Sequence, residues 1–122
     1  MDIRKLQKVA VAALEDIKAR DIEVINTRKL SALFDRIIIA TGDSNRQVKS
    51  LARSVHDKVK EAGGQVIGIE GEEAGEWVLV DLGDIVVHVM QPVVRAYYNL
   101  EELWKVAPKR ARKKADSDAG GA

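Results

Sequence analysis

Residues 76–90, EWVLVDLGDIVVHVM, consist of two short runs of β-branched and apolar residues on either side of a DLGD turn signal. This pattern predicts a β-hairpin. A turn that pairs Asp81 with Asp84 would place Trp77 opposite His88. Because side chains alternate between the two faces of a strand, one face would carry Val78, Val80, Ile85, Val87 and Val89, and the other Trp77, Leu79, Val86, His88 and Met90. Both faces are largely apolar, so we expect one of them to be available to a partner.

The composition around the hairpin is typical of one folded domain. The chain has 122 residues, of which 46% are hydrophobic and 32% charged, which favours a globular protein over a disordered one. The sequence contains no run of about 18 apolar residues, which a membrane span would need. Its N-terminus lacks the apolar region of a signal peptide. We therefore expect a cytoplasmic protein. The absence of cysteine excludes disulfides, thiolate metal sites and a cysteine nucleophile.

Charge is distributed unevenly along the chain. Residues 1–69 contain 13 basic and 9 acidic side chains, whereas residues 70–104 contain 8 acidic side chains and only Arg95 as a base. Five of the six residues 109–114 are basic. We predict a domain over residues 1–107, with a net charge near −2, followed by a basic, disordered tail over residues 108–122. The negative charge of the domain argues against nucleic acid as the main ligand.

Apolar spacing and turn signals predict the order helix, strand, strand, helix, strand, strand, strand, helix. The expected bounds are 3–19, 22–25, 35–41, 44–62, 65–69, the two hairpin strands, and a helix opened by Pro92. In the second helix, Ser44 is the predicted N-cap and Gln47 its capping-box partner. This order predicts an α/β or α+β fold with a single mixed sheet of about five strands and the helices packed on one side.

The sequence contains only weak signals for catalytic or cofactor chemistry. Asp35, Asp81 and Asp84 are the carboxylates that a metal-dependent enzyme would use, and residues 42–44 could present backbone amides to a phosphate. Aspartates in turns bond their own nearby backbone, and Ser44 is explained by capping. Local structure is therefore the favoured interpretation of both features.

The two histidines are expected to lie in different environments. His56 is expected to be a partly exposed helix residue. His88 is either satisfied inside the fold or part of a binding surface. Two histidines without a third ligand do not favour zinc, and we expect no metal and no cofactor.

Four separated segments resemble the ribosomal silencing factor family, also called Iojap-like. They are FDRIIIATGDSNRQV at 34–48, EG at 70–71, WVLVDLGDIVVHV at 77–89 and RAYYNLEELW at 95–104. The resemblance covers about residues 3–107, outside the basic tail. Tyr97 stands where the family often has phenylalanine, and Leu82 where it often has tyrosine.

The resemblance implies a protein that binds the large ribosomal subunit at its fourteenth protein and blocks joining of the small subunit, lowering translation when nutrients are short. It also implies a nucleotidyltransferase-like fold without demonstrated transferase activity, and homodimers. The alternative is a metal-dependent nucleotidyltransferase or a nucleotide-binding protein of the same fold. Such an enzyme would be expected to show a Gly-Ser pair and two aspartates one residue apart on a strand. Here Asp43 separates Gly42 from Ser44, and Asp81 and Asp84 lie three apart across a turn, so a non-enzymatic protein is favoured.

Ten residues form the predicted partner-binding surface. The apolar centre would consist of Trp77, Leu79, His88, Met90 and Tyr98, and the acidic rim of Glu70, Glu76, Asp81, Asp84 and Glu101. A central tryptophan is a typical hot spot, and acidic residues would favour a basic ribosomal surface. Trp77 could instead be covered by the C-terminal helix, whereas Leu100, Leu103 and Trp104 are expected to be core. The tail could touch ribosomal RNA weakly, without sequence-specific recognition.

Overall fold

The computed structural model describes residues 1–104, and the predicted tail lies outside the described residues. The elements are α1 (Ile3–Asp16), β1 (Arg20–Asn26), β2 (Arg36–Thr41), α2 (Asn45–Glu61), β3 (Gly68–Glu70), β4 (Trp77–Asp81), β5 (Ile85–Met90) and α3 (Pro92–Tyr98). One further helical turn covers residues 100–104. The predicted order is confirmed. α1 ends earlier than expected because Lys18 adopts a left-handed conformation with φ 63°.

The five strands of the described chain form one mixed sheet in the order β1-β2-β5-β4-β3. β2 and β5 are parallel, with Ile39 opposite His88, and the other neighbouring pairs are antiparallel. The predicted single mixed sheet is confirmed. Because β5 is the central strand, the hairpin of residues 76–90 lies in the middle of the sheet.

The predicted hairpin register is wrong by two residues. Trp77 pairs with Met90 and Leu79 pairs with His88. Gly83 has φ +91°, and the Leu82 N–H donates to the Ile85 carbonyl at 2.9 Å. Glycine therefore occupies the first central position of a two-residue turn, where a positive φ is required. An even shift leaves every side chain on its predicted face, so the predicted division of the hairpin into two apolar faces is confirmed.

α1 and α2 cover one face of the sheet. The hairpin residues Val78, Val80, Ile85, Val87 and Val89 are fully buried beneath them. The two helices also contact each other directly, since the Ser54 hydroxyl donates to the Ala13 carbonyl at 3.0 Å. This face is the larger part of the hydrophobic core and leaves no room for a partner.

The expectation that all helices pack on one side is wrong. α3 and the turn at 100–104 lie on the opposite face, where Val94, Leu100 and Trp104 pack against the buried residues Ile25, Ile37, Ile39, Val86 and Met90. The Trp104 ring meets Phe34 edge to face, with 5.7 Å between centroids. Within α3 itself no residue is buried. The second sheet face is therefore covered only in part.

The start of α2 confirms the predicted capping box. The Gln47 N–H donates to the Ser44 hydroxyl at 3.0 Å, and the Gln47 side-chain oxygen accepts from the Asp43 N–H at 2.7 Å. The return bond reaches one residue before the N-cap, which ties residue 43 to the helix as well. Two backbone amides at the α2 terminus are thus satisfied by side chains.

Ser44→Ala is expected to lower the free energy of unfolding by about 1 kcal/mol, because the Gln47 N–H loses its acceptor. Urea denaturation followed by circular dichroism measures this loss. Ser50→Ala is the matched control, since Ser50 is exposed within α2 and should change stability by less than about 0.5 kcal/mol. Equal effects of the two substitutions would contradict the capping role.

Candidate functional site

Trp77, His88 and Tyr98 form an aromatic cluster on the partly covered sheet face. The Trp77 indole N–H donates to His88 Nδ1 at 2.9 Å. The Trp77 ring also contacts Tyr98, with 4.9 Å between centroids. Trp77 and His88 are diagonal neighbours rather than the directly opposed pair that the sequence predicted. The two side chains nonetheless meet, because a large aromatic ring spans a diagonal on one sheet face.

His88 is a buried, neutral histidine. Its side chain is 8% exposed, and burial lowers its pKa to about 4. Since Nδ1 accepts the Trp77 proton, the neutral ring carries its own proton on Nε2. Of the two interpretations left open by the sequence, the structure supports a histidine that is satisfied inside the fold and orients Trp77 from below.

Acid is expected to destabilise the protein through His88. Its pKa in the folded protein, about 4, lies below the ordinary value of 6.5. As the pH falls below 6.5, the free energy of unfolding therefore decreases, because only the unfolded chain takes up the proton. The loss reaches about 3 kcal/mol near pH 4 and then stops. Unfolding measured from pH 7.5 to about 4 should show this slope, and His88→Gln should remove it. His56→Gln is the control and should keep the slope of the wild-type protein. An unchanged slope in His88→Gln would contradict the assignment to His88.

The outer side of α3 presents an aromatic patch, which consists of Val93, Tyr97 and Tyr98. All three side chains are exposed, Tyr97 to 81%, and the two tyrosine rings lie 5.0 Å apart. Of these three residues, only Tyr98 was predicted from the sequence to belong to the partner-binding surface. The spacing of four residues between Val93 and Tyr97, with Val94 turned inward, was the available signal, because it places them together on the outer face of a helix.

A groove of about 620 Å³ forms the second open part of this sheet face. Its floor includes Leu79, Val86 and His88. The groove is also lined by Leu33, Phe34, Ile37, Ile67, Glu70, Asp81, Gly83, Leu100, Leu103 and Trp104. Leu33, Ile67 and Leu103 are exposed, although Leu103 was expected to be core. This groove and the aromatic patch together give this face two open regions that are rich in apolar side chains.

The predicted acidic rim divides into two groups. Glu70 and Asp81 line the groove, while Glu76 and Asp84 are exposed at the two ends of the hairpin region. Glu101 has a different role, because its carboxylate pairs with Arg95 at 2.8 Å and its side chain is only 19% exposed. The structure therefore places two of the five predicted acidic residues at the groove and leaves two others exposed elsewhere in the hairpin region.

Arg95 anchors α3 to the sheet. Its guanidinium donates to the Thr41 hydroxyl at 2.8 Å and to the Asp21 carbonyl at 2.6 Å, in addition to the ion pair with Glu101. The ion pair joins α3 to the turn at 100–104. Met90 is fully buried in the cluster of sheet residues against which Val94, Leu100 and Trp104 pack. Met90 and Glu101 would therefore support the surface from beneath rather than touch a partner.

The features that could suggest nucleotide chemistry are engaged in local structure. At the start of α2 the Asp43 amide bonds Gln47, and the Gly42 amide donates to the Met90 carbonyl at 3.1 Å. The Asp43 carboxylate pairs with Arg20, whose hydrogen bonds hold the pKa of that carboxyl below its usual value. Neither amide points at open space for a phosphate.

The aspartates of the hairpin do not converge. Asp81 accepts the Gly83 N–H at 2.9 Å, and Asp84 lies in the turn itself. Within residues 1–104, no three His, Asp or Glu side chains come together in an arrangement able to hold a metal ion. In the same part of the chain, none of the helices has the length and apolar content needed to cross a membrane.

The family model described as ribosomal silencing factor during starvation matches residues 1–121. The chain belongs to the ribosomal silencing factor family. It is 62% identical over 104 residues to a ribosomal silencing factor of Chromobacterium violaceum, a match that covers 85% of each chain. A crystal structure of a protein from that organism superimposes with a TM-score of 0.84 at 53% identity, covering all of this chain and 93% of the other.

A more distant relative has a name that refers to mitochondria and to the large ribosomal subunit. The chain is 33% identical over 97 residues to a protein of Mus musculus named mitochondrial assembly of ribosomal large subunit protein 1. That match covers 77% of this chain and 42% of the mouse protein. The confirmed family agrees with the resemblance predicted from the four sequence segments.

Proposed function

We propose that this protein binds the large ribosomal subunit through its fourteenth protein and blocks association with the small subunit, so that translation is repressed when nutrients are limiting. The observation that carries the proposal is the open apolar face formed by the aromatic patch and the groove. Family membership supplies the ribosome as the partner, and the name of the mouse relative refers to the large subunit. The proposed site of action is the cytoplasm, where the protein would meet the ribosomes.

The chemistry of the face fits a basic protein surface. The exposed tyrosines of the aromatic patch offer large, rigid contact area of the kind enriched at interfaces. Glu76 and Asp84 are exposed at the two ends of the hairpin region, and residues 70–104 carry a large excess of acidic side chains. Acidic residues at the rim accelerate association with a basic partner and orient it, while the apolar centre supplies most of the affinity.

Silencing by this route is steric. A folded domain bound at the face of the large subunit that meets the small subunit occupies space that the small subunit needs. No catalytic step is required, which agrees with the local hydrogen bonds of the Asp81 carboxylate and of the Asp43 amide. The protein would therefore act in proportion to the fraction of large subunits that it occupies.

The deciding experiment is co-sedimentation of the purified protein with purified large and small subunits, followed by a subunit-joining assay. We expect binding to large subunits only, and joining that falls as occupancy rises. Large subunits assembled without the fourteenth protein are the matched control and should bind far less protein. Equal binding to both kinds of large subunit would refute the proposed docking partner, and unimpaired joining at full occupancy would refute silencing.

The enzymatic alternative has its own test. The protein is incubated with Mg²⁺ and each nucleoside triphosphate, and pyrophosphate release and thermal unfolding are recorded. We expect neither release nor stabilisation, because the Gly42 and Asp43 amides and the Asp81 carboxylate already have partners. A clear shift with one nucleotide would favour a nucleotide-binding function instead.

A further inference from the structure

The groove is open at the point where the described chain ends. Trp104 forms part of its wall by packing on Phe34, and Leu103 beside it remains exposed. The sequence continues with Lys105, then the apolar segment 106–108, then KRARKK at 109–114. A segment that follows Trp104 therefore starts at the edge of the groove.

Two acidic residues, Glu70 and Asp81, line this groove. In the sheet register Glu70 lies opposite Leu79 and Asp81 lies opposite Gly68, so both carboxylates share the face of Leu79. Among residues 1–104, no lysine or arginine forms an ion pair with either of them. Gly68 adds space, because a Cβ built there would meet no atom within 4 Å. The groove thus combines an apolar floor with negative charge that lacks a cation in this part of the chain.

The basic run is long enough to reach these carboxylates. Lys109 is the fifth residue after Trp104, and an extended chain over these five steps spans up to about 17 Å. Trp104, Glu70 and Asp81 all line the same groove of about 620 Å³.

We infer that residues 105–114 of this chain dock in the groove, with the basic run against Glu70 and Asp81, and so compete with a basic partner surface for the same face. The contact within the chain stands on the groove alone, whereas its inhibitory effect rests on the proposed function. Short tethering gives an effective concentration on the order of millimolar. Even a weak contact would then reduce the apparent affinity for the partner by about threefold to tenfold.

The test uses the full chain with its five basic residues at 109, 110, 112, 113 and 114 changed to Gln. Methyl NMR spectra without ribosomes should differ between this tail-neutral variant and the parent at Leu79, Val86 and Ile67, which line the groove. The matched control changes three exposed basic residues of α1, as Arg4→Gln, Lys5→Gln and Lys8→Gln, and should leave those signals in place.

Binding to large subunits then reports the competition. The tail-neutral variant should bind threefold to tenfold tighter than the parent at low ionic strength, with the difference vanishing at high salt. In the double variant Glu70→Gln, Asp81→Asn, the five tail substitutions should no longer change the methyl signals of the groove. The reason is that the groove variant and the tail variant remove the same contact.

The outcomes separate this inference from the proposed function. Unchanged groove signals in the tail-neutral variant would overturn the inference, and so would weaker ribosome binding, which would assign the tail to ribosomal RNA. Altered groove signals together with absent ribosome binding in every variant would keep the contact within the chain and refute the docking function.

Discussion

Trp77→Ala is expected to weaken binding to large subunits at least about thirtyfold and to lower the free energy of unfolding by about 2 kcal/mol. Both effects have a visible cause. The indole packs on Tyr98 and donates its N–H to His88, so its removal loosens α3 and leaves the buried Nδ1 without its donor. Binding is measured by co-sedimentation and stability by urea denaturation.

Tyr97→Ala separates docking from stability. Tyr97 is 81% exposed and contacts Tyr98, so its truncation should change stability by less than about 0.5 kcal/mol. If the aromatic patch docks, binding should still fall about tenfold. Normal binding by Tyr97→Ala, with a loss in Trp77→Ala that follows its loss of stability, would assign Trp77 to the core and move the docking surface away from α3.

Gly71→Ala should be the most destabilising single methyl addition in the hairpin region, at about 3 kcal/mol or more. Gly71 has φ +90°, which a side chain rarely adopts, and a Cβ built there overlaps the Trp77 carbonyl oxygen. That oxygen belongs to the first residue of β4, so the start of the strand would have to shift. The expected observation is a lower urea midpoint at an unchanged slope.

Gly63→Ala is the matched control for this prediction. Gly63 also has φ +90°, but a Cβ there meets nothing within 4 Å. It should therefore cost only the conformational penalty of about 1 kcal/mol. The difference between the two variants measures the overlap with Trp77, and equal losses would show that the close approach at Gly71 has no energetic consequence.

Much of the architecture was predictable from local patterns. The capping box at residues 44–47 and the alternation in residues 76–90 predicted α2 and the two hairpin faces, because hydrogen bonding at a helix start and side-chain alternation act over a few residues. The hairpin register was not predictable in the same way. A shift of two residues preserves both faces, so the apolar pattern alone could not choose between the two turns.

The candidate site was predictable in composition and less so in detail. Trp77, Leu79 and His88 do share one face, but His88 lies beneath Trp77. Met90 and Glu101 are removed from the surface by the C-terminal segment that packs over the sheet. The aromatic patch was incompletely predicted, because the orientation of α3 decides which of its side chains are exposed. Arg95 sets this orientation by binding the sheet, and Val93 and Tyr97 then lie on the outer side.

The sequence by itself determined the order of the elements, the two apolar faces of the hairpin, the acidic character of residues 70–104 and the family resemblance that the comparisons confirmed. Each of these depends on neighbouring residues or on motifs read directly along the chain. Only the tertiary structure decided that α1 and α2 cover one face while α3 lies on the other. The physical reason is that segments distant in sequence must meet before a sheet face is covered. Arg95 makes such a contact, since it binds Asp21 and Thr41, each more than fifty positions away in the chain.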